Sequence, residues 1–201
     1  MKSVTNERFI KANQSEQHCY ETGIQYQNYF NWEYLDINPR TTLVGKVVVE
    51  FGGQCTSLIF GCWGFEKAIV VDPVVLKDKD LFRYQKLGIE YVTQQAEYYS
   101  IPQDVNEIWM SNCLCHVQDP ELILDNIINS NADTLRIAEP LNTGTDASHP
   151  HSFTQEYFTN KLGVGKIYSG GSRVGYHEVD CYQGVINLEQ LRGKCGILRS
   201  I

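Results

Sequence analysis

Two apolar runs that each end in an acidic residue constrain this chain more than any other feature. The first run, Val47–Val49, is followed by Glu50 and, one residue later, by two glycines, and the second run, Ala68–Val71, ends in Asp72. Short β-branched runs are typical of buried parallel strands. An acid about twenty residues beyond a glycine turn is typical of a nucleotide-binding βαβ unit. The pattern therefore predicts a nucleotide-shaped ligand lying across two neighbouring strand ends.

The length and charge of the chain narrow its class. Its 201 residues are enough for one good-sized α/β domain, and we predict a single domain over residues 1–201. The formal net charge of −7 disfavours a nucleic-acid-binding protein, which normally carries a basic patch. The polar start of the chain is unlike a signal peptide, and no run approaches the roughly twenty apolar residues of a membrane span. We expect a cytoplasmic protein with no membrane contact.

The seven cysteines are interpreted as reduced core thiols, because the sequence shows no signal for secretion. Cys113 and Cys115 stand beside His116, which raises the question of a metal site. The sequence has no second Cys/His cluster at zinc-finger spacing. We therefore favour packing thiols beside a polar site and predict no metal.

Residues 1–40 are polar and rich in aromatic side chains. Tyr26, Tyr29 and Phe30 have the i, i+3, i+4 spacing of one helical face. The segment ends at Pro39, because the residue before a proline is biased away from helix. We interpret residues 1–40 as an N-terminal cap segment. Packing on the core and closure over a substrate pocket both stay open as its role.

From residue 46 onward, strand and helix patterns alternate. Strands are predicted at 47–50, 68–71, 89–92, 107–111, 135–139, 167–169 and 176–182, the last two joined by a glycine-rich turn at 170–172. Helices are predicted at 55–64, at 81–87 and after the capping residues Asp119 and Thr154, with a weaker strand and helix signal at the end of the chain. This alternation predicts an open, mainly parallel α/β sheet with helices on both faces.

Ligands of such sheets bind beyond the carboxyl ends of the strands, so the residues that follow each predicted strand are the candidate site residues. Glycine there lets the backbone approach a ligand closely, and a carboxylate can accept hydrogen bonds from ribose hydroxyls. The candidates, in chain order, are Glu50, Gly52 and Gly53, then Asp72, then Gln95, Ala96 and Glu97, then Ser111, Asn112 and Cys113, and finally Glu139.

Four segments resemble one known family, and the last of them, residues 111–120, is the most specific because it does so in several positions at once. The segment from Glu50 to Gly53 resembles the family's first motif, Asp72 resembles its ribose-binding acid, and residues 95–97 resemble its adenine-reading pair. Residues 111–120, Ser-Asn-Cys-Leu-Cys-His-Val-Gln-Asp-Pro, resemble its Asn-x-Leu-x-His-Val-x-Asp-Pro stretch. Over residues 44–162 the chain resembles the class I S-adenosylmethionine-dependent methyltransferases. The resemblance implies a Rossmann-like methyltransferase fold with a mostly parallel seven-stranded sheet.

The resemblance also implies a cofactor, S-adenosylmethionine, and a set of residues that hold it. That set is Glu50, Gly52, Gly53, Gln54, Asp72, Gln95, Ala96, Glu97, Asn112 and Cys113. Gln54 departs from the family pattern, which has its second glycine there, so the side chain either crowds the methionine part of the cofactor or hydrogen-bonds to it. An NAD or FAD domain is the competing interpretation, but its fingerprint needs a third glycine that this sequence lacks at that offset.

Three histidines are candidates for a catalytic base, because the ordinary imidazole pKa is about 6.5. His116 follows the fourth strand, and His149 and His151 lie in the polar loop after the fifth. The alternative for each is a structural histidine that anchors a loop. A metal-binding pair of His149 and His151 has little support without a third ligand nearby.

The implied activity is methyl transfer to an oxygen or nitrogen atom of a small molecule or sugar. The alternative is a non-catalytic S-adenosylmethionine-binding protein or partner subunit, which the departure at Gln54 favours. A nucleic-acid or protein methyltransferase is disfavoured by the acidic charge and by the absence of an Asn-Pro-Pro-Tyr motif after strand four. Arg173, His177 and Glu178 are further candidates for contact with an anionic substrate, with ordinary surface placement as the alternative.

Overall fold

A computed structural model describes residues 5–22, 35, 37, 42–146, 148–163, 165–174 and 177–194, without the side chains at 6, 19, 22 and 170–179. Strands and helices alternate along the described chain. The strands are β1 (Val47–Phe51), β2 (Lys67–Asp72), β3 (Ile89–Thr93), β4 (Glu107–Ser111), β5 (Thr134–Pro140), β6 (Lys166–Val174) and β7 (His177–Asn187). The α-helices are α1 (Asn6–Thr22), α2 (Asp78–Lys86), α3 (Pro120–Asn129), α4 (Gln155–Leu162) and α5 (Leu188–Lys194).

The strands form one seven-stranded sheet in the order β3-β2-β1-β4-β5-β7-β6. Strands β1 to β5 pair in parallel, whereas β7 is antiparallel to both β5 and β6. The strand order reverses between β1 and β4, which is where open α/β sheets bind their ligands. The predicted fold class is confirmed: a mostly parallel seven-stranded sheet of Rossmann-like type.

Alternate residues of the apolar strands face opposite sides of this sheet, as the two-residue period of a strand requires. In β1, Val47 and Val49 belong to one buried cluster and Val48 to the other. Helices α3, α4 and α5 cover the first cluster, and Tyr20 of α1 and Tyr84 of α2 belong to the second. Both faces are therefore covered, which explains why the central strands are apolar throughout.

Two predicted helix starts are confirmed by their caps. The Asp119 side chain accepts a hydrogen bond from the Leu122 amide at 3.1 Å, and Thr154 accepts one from the Tyr157 amide at 3.2 Å. These bonds satisfy amides that would otherwise lack a partner at a helix N-terminus. They fix where the chain leaves the strand ends and so help to shape the loops of the site.

The predicted helix at 55–64 is wrong. The chain forms two short 3₁₀ turns instead, Gln54–Thr56 and Leu58–Gly61, separated by Ser57 in an extended conformation with ψ 135°. The Glu50 carboxylate accepts hydrogen bonds from the Ser57 hydroxyl and from the amide of Leu58 at 3.0 Å. These side-chain bonds hold the backbone out of a continuous helix.

The predicted turn at 170–172 is also wrong. Those residues lie inside β6, where the pairing with β7 shifts register between Tyr168 and Ser172. Glycines inside a strand commonly mark such an irregularity. Strand β7 is longer than predicted because it continues through the weak signal near the end of the chain to Asn187.

The cap segment is described only in part. The aromatic face predicted from Tyr26, Tyr29 and Phe30 lies outside the described residues, and so do the side chains of Arg173, His177 and Glu178. Before that face, α1 crosses the carboxyl edge of the sheet. Among the described helices, none has the length and apolar character that crossing a membrane requires.

Candidate functional site

A cavity opens at the carboxyl ends of β1 to β4, on the side where the strand order reverses. Its empty space, including the open mouth, is about 990 Å³. Helix α1 covers it through Phe9, Asn13, Glu16 and Tyr20. The strand-end residues that line it are Gly52, Gln54, Cys55, Thr56, Val71, Asp72, Pro73, Val74, Gln95, Ala96, Glu97, Ser111, Asn112, Cys113, His116 and Val117.

The floor of the cavity is fixed by Gly52. Its φ is +83°, and a Cβ added there would lie 2.9 Å from both Cβ and Sγ of Cys113. Only glycine satisfies the backbone conformation and the close packing together. The turn after β1 therefore passes directly against the turn after β4.

Asp72 presents a buried carboxylate to the cavity. One oxygen accepts a hydrogen bond from the Val74 amide at 2.8 Å and the other from the Gln54 amide at 3.3 Å. Burial raises the pKa of Asp72 to about 7, although those two hydrogen bonds oppose the shift. A carboxylate oxygen has two lone-pair positions, so both oxygens keep the capacity to accept a hydroxyl from a ligand.

Two residues that line the cavity each have a buried side-chain oxygen with no hydrogen-bond partner in the described part of the chain. These oxygens are Oε1 of Gln95 and Oγ of Ser111. Leaving a buried polar atom unsatisfied costs about 1–3 kcal/mol, so each atom calls for a ligand or a water. Ala96 lies beside Gln95 with only a methyl group and keeps this part of the cavity wide.

Glu50 and Gly53 support the turn from behind and do not line the cavity. The buried Glu50 carboxylate is engaged by Ser57 and the turn amides described above, and burial raises its pKa. A Cβ at Gly53 would lie 2.7 Å from Cγ1 of Val70, against the sheet. The expectation that both touch a cofactor stays a prediction, and the geometry gives it no direct contact.

Glu97 combines a position on the cavity wall with a structural contact. Its Oε1 accepts hydrogen bonds from the amides of Gln118 at 2.5 Å and Asp119 at 3.2 Å. The side chain therefore joins the turn after β3 to the start of α3. This bonding occupies one of its oxygens before any ligand binds.

Gln54 connects the floor of the cavity to its cover. Its φ is +41°, in the left-handed region that disfavours side chains. Its amide nitrogen Nε2 donates to Oε2 of Glu16 on α1 at 3.1 Å, and its backbone carbonyl accepts a hydrogen bond from the Tyr84 hydroxyl. These contacts are sufficient to explain the conformation of Gln54. The two outcomes expected from the sequence, crowding of a cofactor or a hydrogen bond to it, stay predictions.

Glu139 is a buried residue whose role the sequence analysis missed. Its Oε1 accepts hydrogen bonds from the amides of Cys113 at 2.8 Å and Leu114 at 2.9 Å, and burial raises its pKa to about 7. It thereby supports the turn in which Asn112 has a φ of +49°. An acid at the end of β5 was visible in the sequence, but nothing there indicated that it points beneath β4.

His116 is the only one of the three candidate histidines that lines the cavity. Its Nδ1 lies 2.8 Å from the Ser148 carbonyl oxygen and 3.5 Å from Oε1 of Glu16. Burial lowers the pKa of His116, and the nearby Glu16 charge opposes that shift. The ring is thus held between α1 and the loop that follows β5.

His149 and His151 have different surroundings. The His149 ring lies 4.6 Å from the His116 ring between centroids, and its Nδ1 lies 3.1 Å from Oδ1 of Asp146. His151 is buried, with Nε2 2.9 Å from the Val117 carbonyl oxygen, and burial lowers its pKa. The geometry places His149 beside His116 and gives His151 the surroundings of a loop anchor.

Sequence reasoning predicted an N-terminal cap segment but did not identify the residues of α1 that line the cavity. The four cover residues Phe9, Asn13, Glu16 and Tyr20 follow a helical face, but two are polar and two aromatic. A mixed face has no clear hydrophobic periodicity. The residue that most clearly ties this face to the site is Glu16, which contacts both Gln54 and His116.

Comparison with known proteins finds no matching family model and no matching curated protein. Solved structures do match. The 1,6-didemethyltoxoflavin-N1-methyltransferase of Burkholderia thailandensis, with bound 1,6-didemethyltoxoflavin and S-adenosylhomocysteine, superposes with a TM-score of 0.65 at 14% identity, over 93% of this chain and 92% of that chain.

Two further structures are similar. The plantazolicin methyltransferase BpumL, in complex with a desmethyl analogue of plantazolicin and S-adenosylhomocysteine, gives a TM-score of 0.58 at 10% identity, over 90% of this chain and 97% of that chain. The magnesium protoporphyrin IX methyltransferase of Synechocystis PCC 6803, with bound S-adenosylmethionine, gives a TM-score of 0.53 at 12% identity, over 93% of this chain and 87% of that chain. At these identities the likeness establishes the fold: the chain has the fold of the class I S-adenosylmethionine-dependent methyltransferases.

Proposed function

We propose that this chain transfers a methyl group from S-adenosylmethionine to an oxygen or nitrogen atom of a small molecule or sugar. The observation that carries the proposal is the covered cavity at the point of strand reversal. Asp72, with its buried carboxylate, lines it, and so do Gln95 and Ser111, each with a buried oxygen that has no partner in the described part of the chain. A nucleoside sulfonium offers hydroxyls and ring nitrogens to match such groups. The class I methyltransferase fold supports the same conclusion.

The residues that line the cavity fit this cofactor. Asp72 would accept hydrogen bonds from the ribose hydroxyls, and Gln95 with Ala96 would face the adenine. Gly52 leaves its backbone open to the methionine part, since no Cβ fits there. Asn112 and Cys113 would complete the wall on the side of β4. Charge-assisted hydrogen bonds such as those to Asp72 contribute about 1.5–3 kcal/mol each.

The bound cofactor supplies an electrophilic methyl group, and its transfer depends mainly on proximity and orientation. The chain must therefore bind both molecules, align them and keep water out. Helix α1 performs the covering, because Glu16 bonds to Gln54 and approaches His116. We propose His116 as the histidine that contacts the acceptor, since it alone of the three candidates lines the cavity.

A small acceptor suits the cavity better than a macromolecule. The cover by α1 limits the space above the strand ends, and the formal net charge of −7 opposes contact with phosphate backbones. Two structurally similar methyltransferases contain 1,6-didemethyltoxoflavin and a desmethyl plantazolicin analogue, respectively, in their structures. Retention on a nucleic-acid column that falls with rising salt would contradict this choice.

The test is turnover with a donor that carries a radiolabelled methyl group. Wild-type protein is incubated with fractions of a small-molecule extract, and label is followed into products that separate from the donor. Asp72→Asn serves as the matched variant with impaired donor binding. We expect labelled product with the wild type and little with the variant. Donor binding without labelled product in any fraction would favour the non-catalytic binding protein or partner subunit instead.

A further inference from the structure

A cluster of metal-ligating atoms lies beside the end of the cavity that His116 lines. The Sγ of Cys115, one ring nitrogen of His116 and one ring nitrogen of His149 all lie within 4.8 Å of one another. In a tetrahedral zinc site, with Zn–S of about 2.3 Å and Zn–N of about 2.0 Å, the donors lie roughly 3.5 Å apart. Since the atoms lie within 4.8 Å of one another, each pair needs to approach by up to about 1.3 Å to hold one ion.

One nitrogen of each ring, Nδ1, is already engaged by an oxygen atom, which leaves Nε2 as the nitrogen for an ion. Nδ1 of His116 lies 2.8 Å from the Ser148 carbonyl, and Nδ1 of His149 lies 3.1 Å from the Asp146 carboxylate. A proton on each Nδ1 satisfies these oxygens and leaves the lone pair on Nε2. Metal-binding histidines are oriented in the same manner, by a carbonyl or carboxylate on the nitrogen that does not bind the metal.

The loop that carries His149 is organised around the same carboxylate. Oδ1 of Asp146 accepts hydrogen bonds from the backbone amides of Ser148 at 2.8 Å and His149 at 2.7 Å. Oγ of Ser148 lies 2.6 Å from Oγ of Ser15 on α1. The position of the His149 ring is therefore set by the fold before any ion binds, which lowers the ordering cost of a site.

The charges that face the cluster favour a cation. Glu16 approaches His116 to 3.5 Å and Asp146 approaches His149 to 3.1 Å, so two carboxylates lie around three neutral donors. A thiolate from Cys115 would add a third negative charge. One sulfur and two imidazole nitrogens form a donor set that suits zinc and related transition metals better than magnesium or calcium, which prefer oxygen.

We propose that Cys115, His116 and His149 bind a zinc ion beside the acceptor end of the cavity. Three protein ligands leave a fourth coordination position, which is typical of catalytic zinc sites. Resting on the proposed function, we assign that position to the oxygen or nitrogen atom of the acceptor. An ion held there would bind the acceptor atom and lower the pKa of its O–H or N–H group, so that the proton leaves to water before that atom attacks the methyl group and the donor's C–S bond breaks. His116 would then be a ligand and not a base, in place of the sequence-based expectations of no metal and of a base at His116.

The test uses Co²⁺ as a spectroscopic probe on the full chain. We expect one equivalent to give a thiolate-to-cobalt charge-transfer band and intense visible bands of tetrahedral cobalt, and Zn²⁺ to displace both. Cys115→Ser removes the charge-transfer band. His149→Ala weakens cobalt affinity by ~100-fold or more, because loss of an outer partner alone costs about 10–100-fold. Cys62→Ser and His18→Ala, at residues outside the cluster, leave the spectrum unchanged.

Two results would overturn the site: folded wild-type protein without a charge-transfer band, or the same band in Cys115→Ser. Since Cys115 is buried, circular dichroism verifies folding, and His149→Ala in the more open loop provides the second variant. Donor binding is measured on the same samples by calorimetry. Turnover without any cobalt band would refute the zinc site and leave the proposed function standing, whereas a cobalt band without turnover would do the reverse.

Discussion

The two ends of the cavity are built in different ways. The end proposed to bind the cofactor, called the cofactor end, consists of residues at or just beyond the strand ends, and buried contacts fix them. These residues are Gly52, Gln54, Asp72 and Gln95. The other end, called the histidine end, brings together α1, the turn after β4 and the loop after β5. Its residues are Glu16, Cys115, His116, His149 and Asp146. It is held chiefly by hydrogen bonds between side chains and loops.

The comparison shows which parts of the fold position each end of the cavity. The sheet register alone places the cofactor end, because parallel strands end at a common edge. The histidine end depends on three segments that pack independently on that edge. We therefore expect substitutions at the cofactor end to have large effects on donor binding, and those at the histidine end to have smaller effects on it.

The largest effect is expected from Gly52→Ala. A left-handed conformation together with a Cβ 2.9 Å from Cys113 should lower the free energy of unfolding by about 2–4 kcal/mol and abolish donor binding. Urea unfolding followed by circular dichroism measures the first and calorimetry the second.

Gly88→Ala is the matched control for this prediction. Gly88 also has a positive φ, +68°, but an added Cβ meets nothing within 4 Å. This control isolates backbone strain, so it should lose only about 1 kcal/mol and keep donor binding. Equal losses in the two variants would show that the contact with Cys113 is unimportant.

The second largest effect is expected from Asp72→Asn. Loss of the charged acceptor should weaken S-adenosylmethionine binding by roughly 10–100-fold at pH 8. Because burial raises the pKa of Asp72 to about 7, wild-type affinity should rise by roughly tenfold between about pH 6 and pH 8 as the carboxylate forms. The variant should lack this rise, and the exposed control Asp104→Asn should keep it.

The same pKa shift has a consequence for stability with the opposite sign. The folded pKa of Asp72 is raised from 3.8 to about 7, so folding favours the protonated acid. Its contribution to the free energy of unfolding is complete below about pH 4 and is lost as the pH rises through about 7. Without ligand, the free energy of unfolding of Asp72→Asn should depend less on pH across this range than that of the wild type. Unfolding curves recorded at the two ends of the range measure the difference.

His151→Ala should act on stability more than on chemistry. Loss of the buried bond to the Val117 carbonyl should lower the free energy of unfolding by about 1–3 kcal/mol. The value of kcat per folded molecule should stay within a few-fold of the wild type. A fall in kcat of about 100-fold or more would instead indicate a base and contradict the assignment of His151 as a loop anchor.

The smallest effect is expected from Glu16→Ala. It removes the 3.1 Å bond to Gln54 and the approach to His116, both of which attach α1 to the cavity. Donor affinity should fall by about 2- to 10-fold, with little change in stability. Glu7→Ala on the same helix removes only an exposed pair with Lys11 and should change neither quantity. An equal effect of the two variants would show that the cover does not act through Glu16.

The sequence allowed the fold to be predicted, and eight of its ten cofactor-binding candidates line the cavity, since strand periodicity and the residues near each strand end are local signals. That these residues bind the cofactor stays a prediction. Sequence-based prediction failed where side chains override local patterns. Glu50 and Ser57 bind the turn amides and prevent the predicted helix, and the glycines inside β6 form an irregularity and not a turn.

The histidine end could not be predicted for a different reason. Cys115 and His116 are adjacent in sequence, but His149 and Glu16 reach them only through the packing of the loop and of α1. The usual sequence criterion for a metal site is a second Cys/His cluster, which this sequence lacks. In the proposed site the third ligand, His149, instead comes singly from a distant loop. Burial of Glu139 beneath β4 is likewise a tertiary effect without a local signal.

The central claim is that the cavity binds S-adenosylmethionine through Asp72. Calorimetric titration of the wild type and Asp72→Asn with S-adenosylmethionine at pH 8 tests it most directly. We predict one donor molecule per chain for the wild type and markedly weaker binding for the variant. No binding by folded wild-type protein at high micromolar donor, or equal binding by both proteins, would contradict the claim.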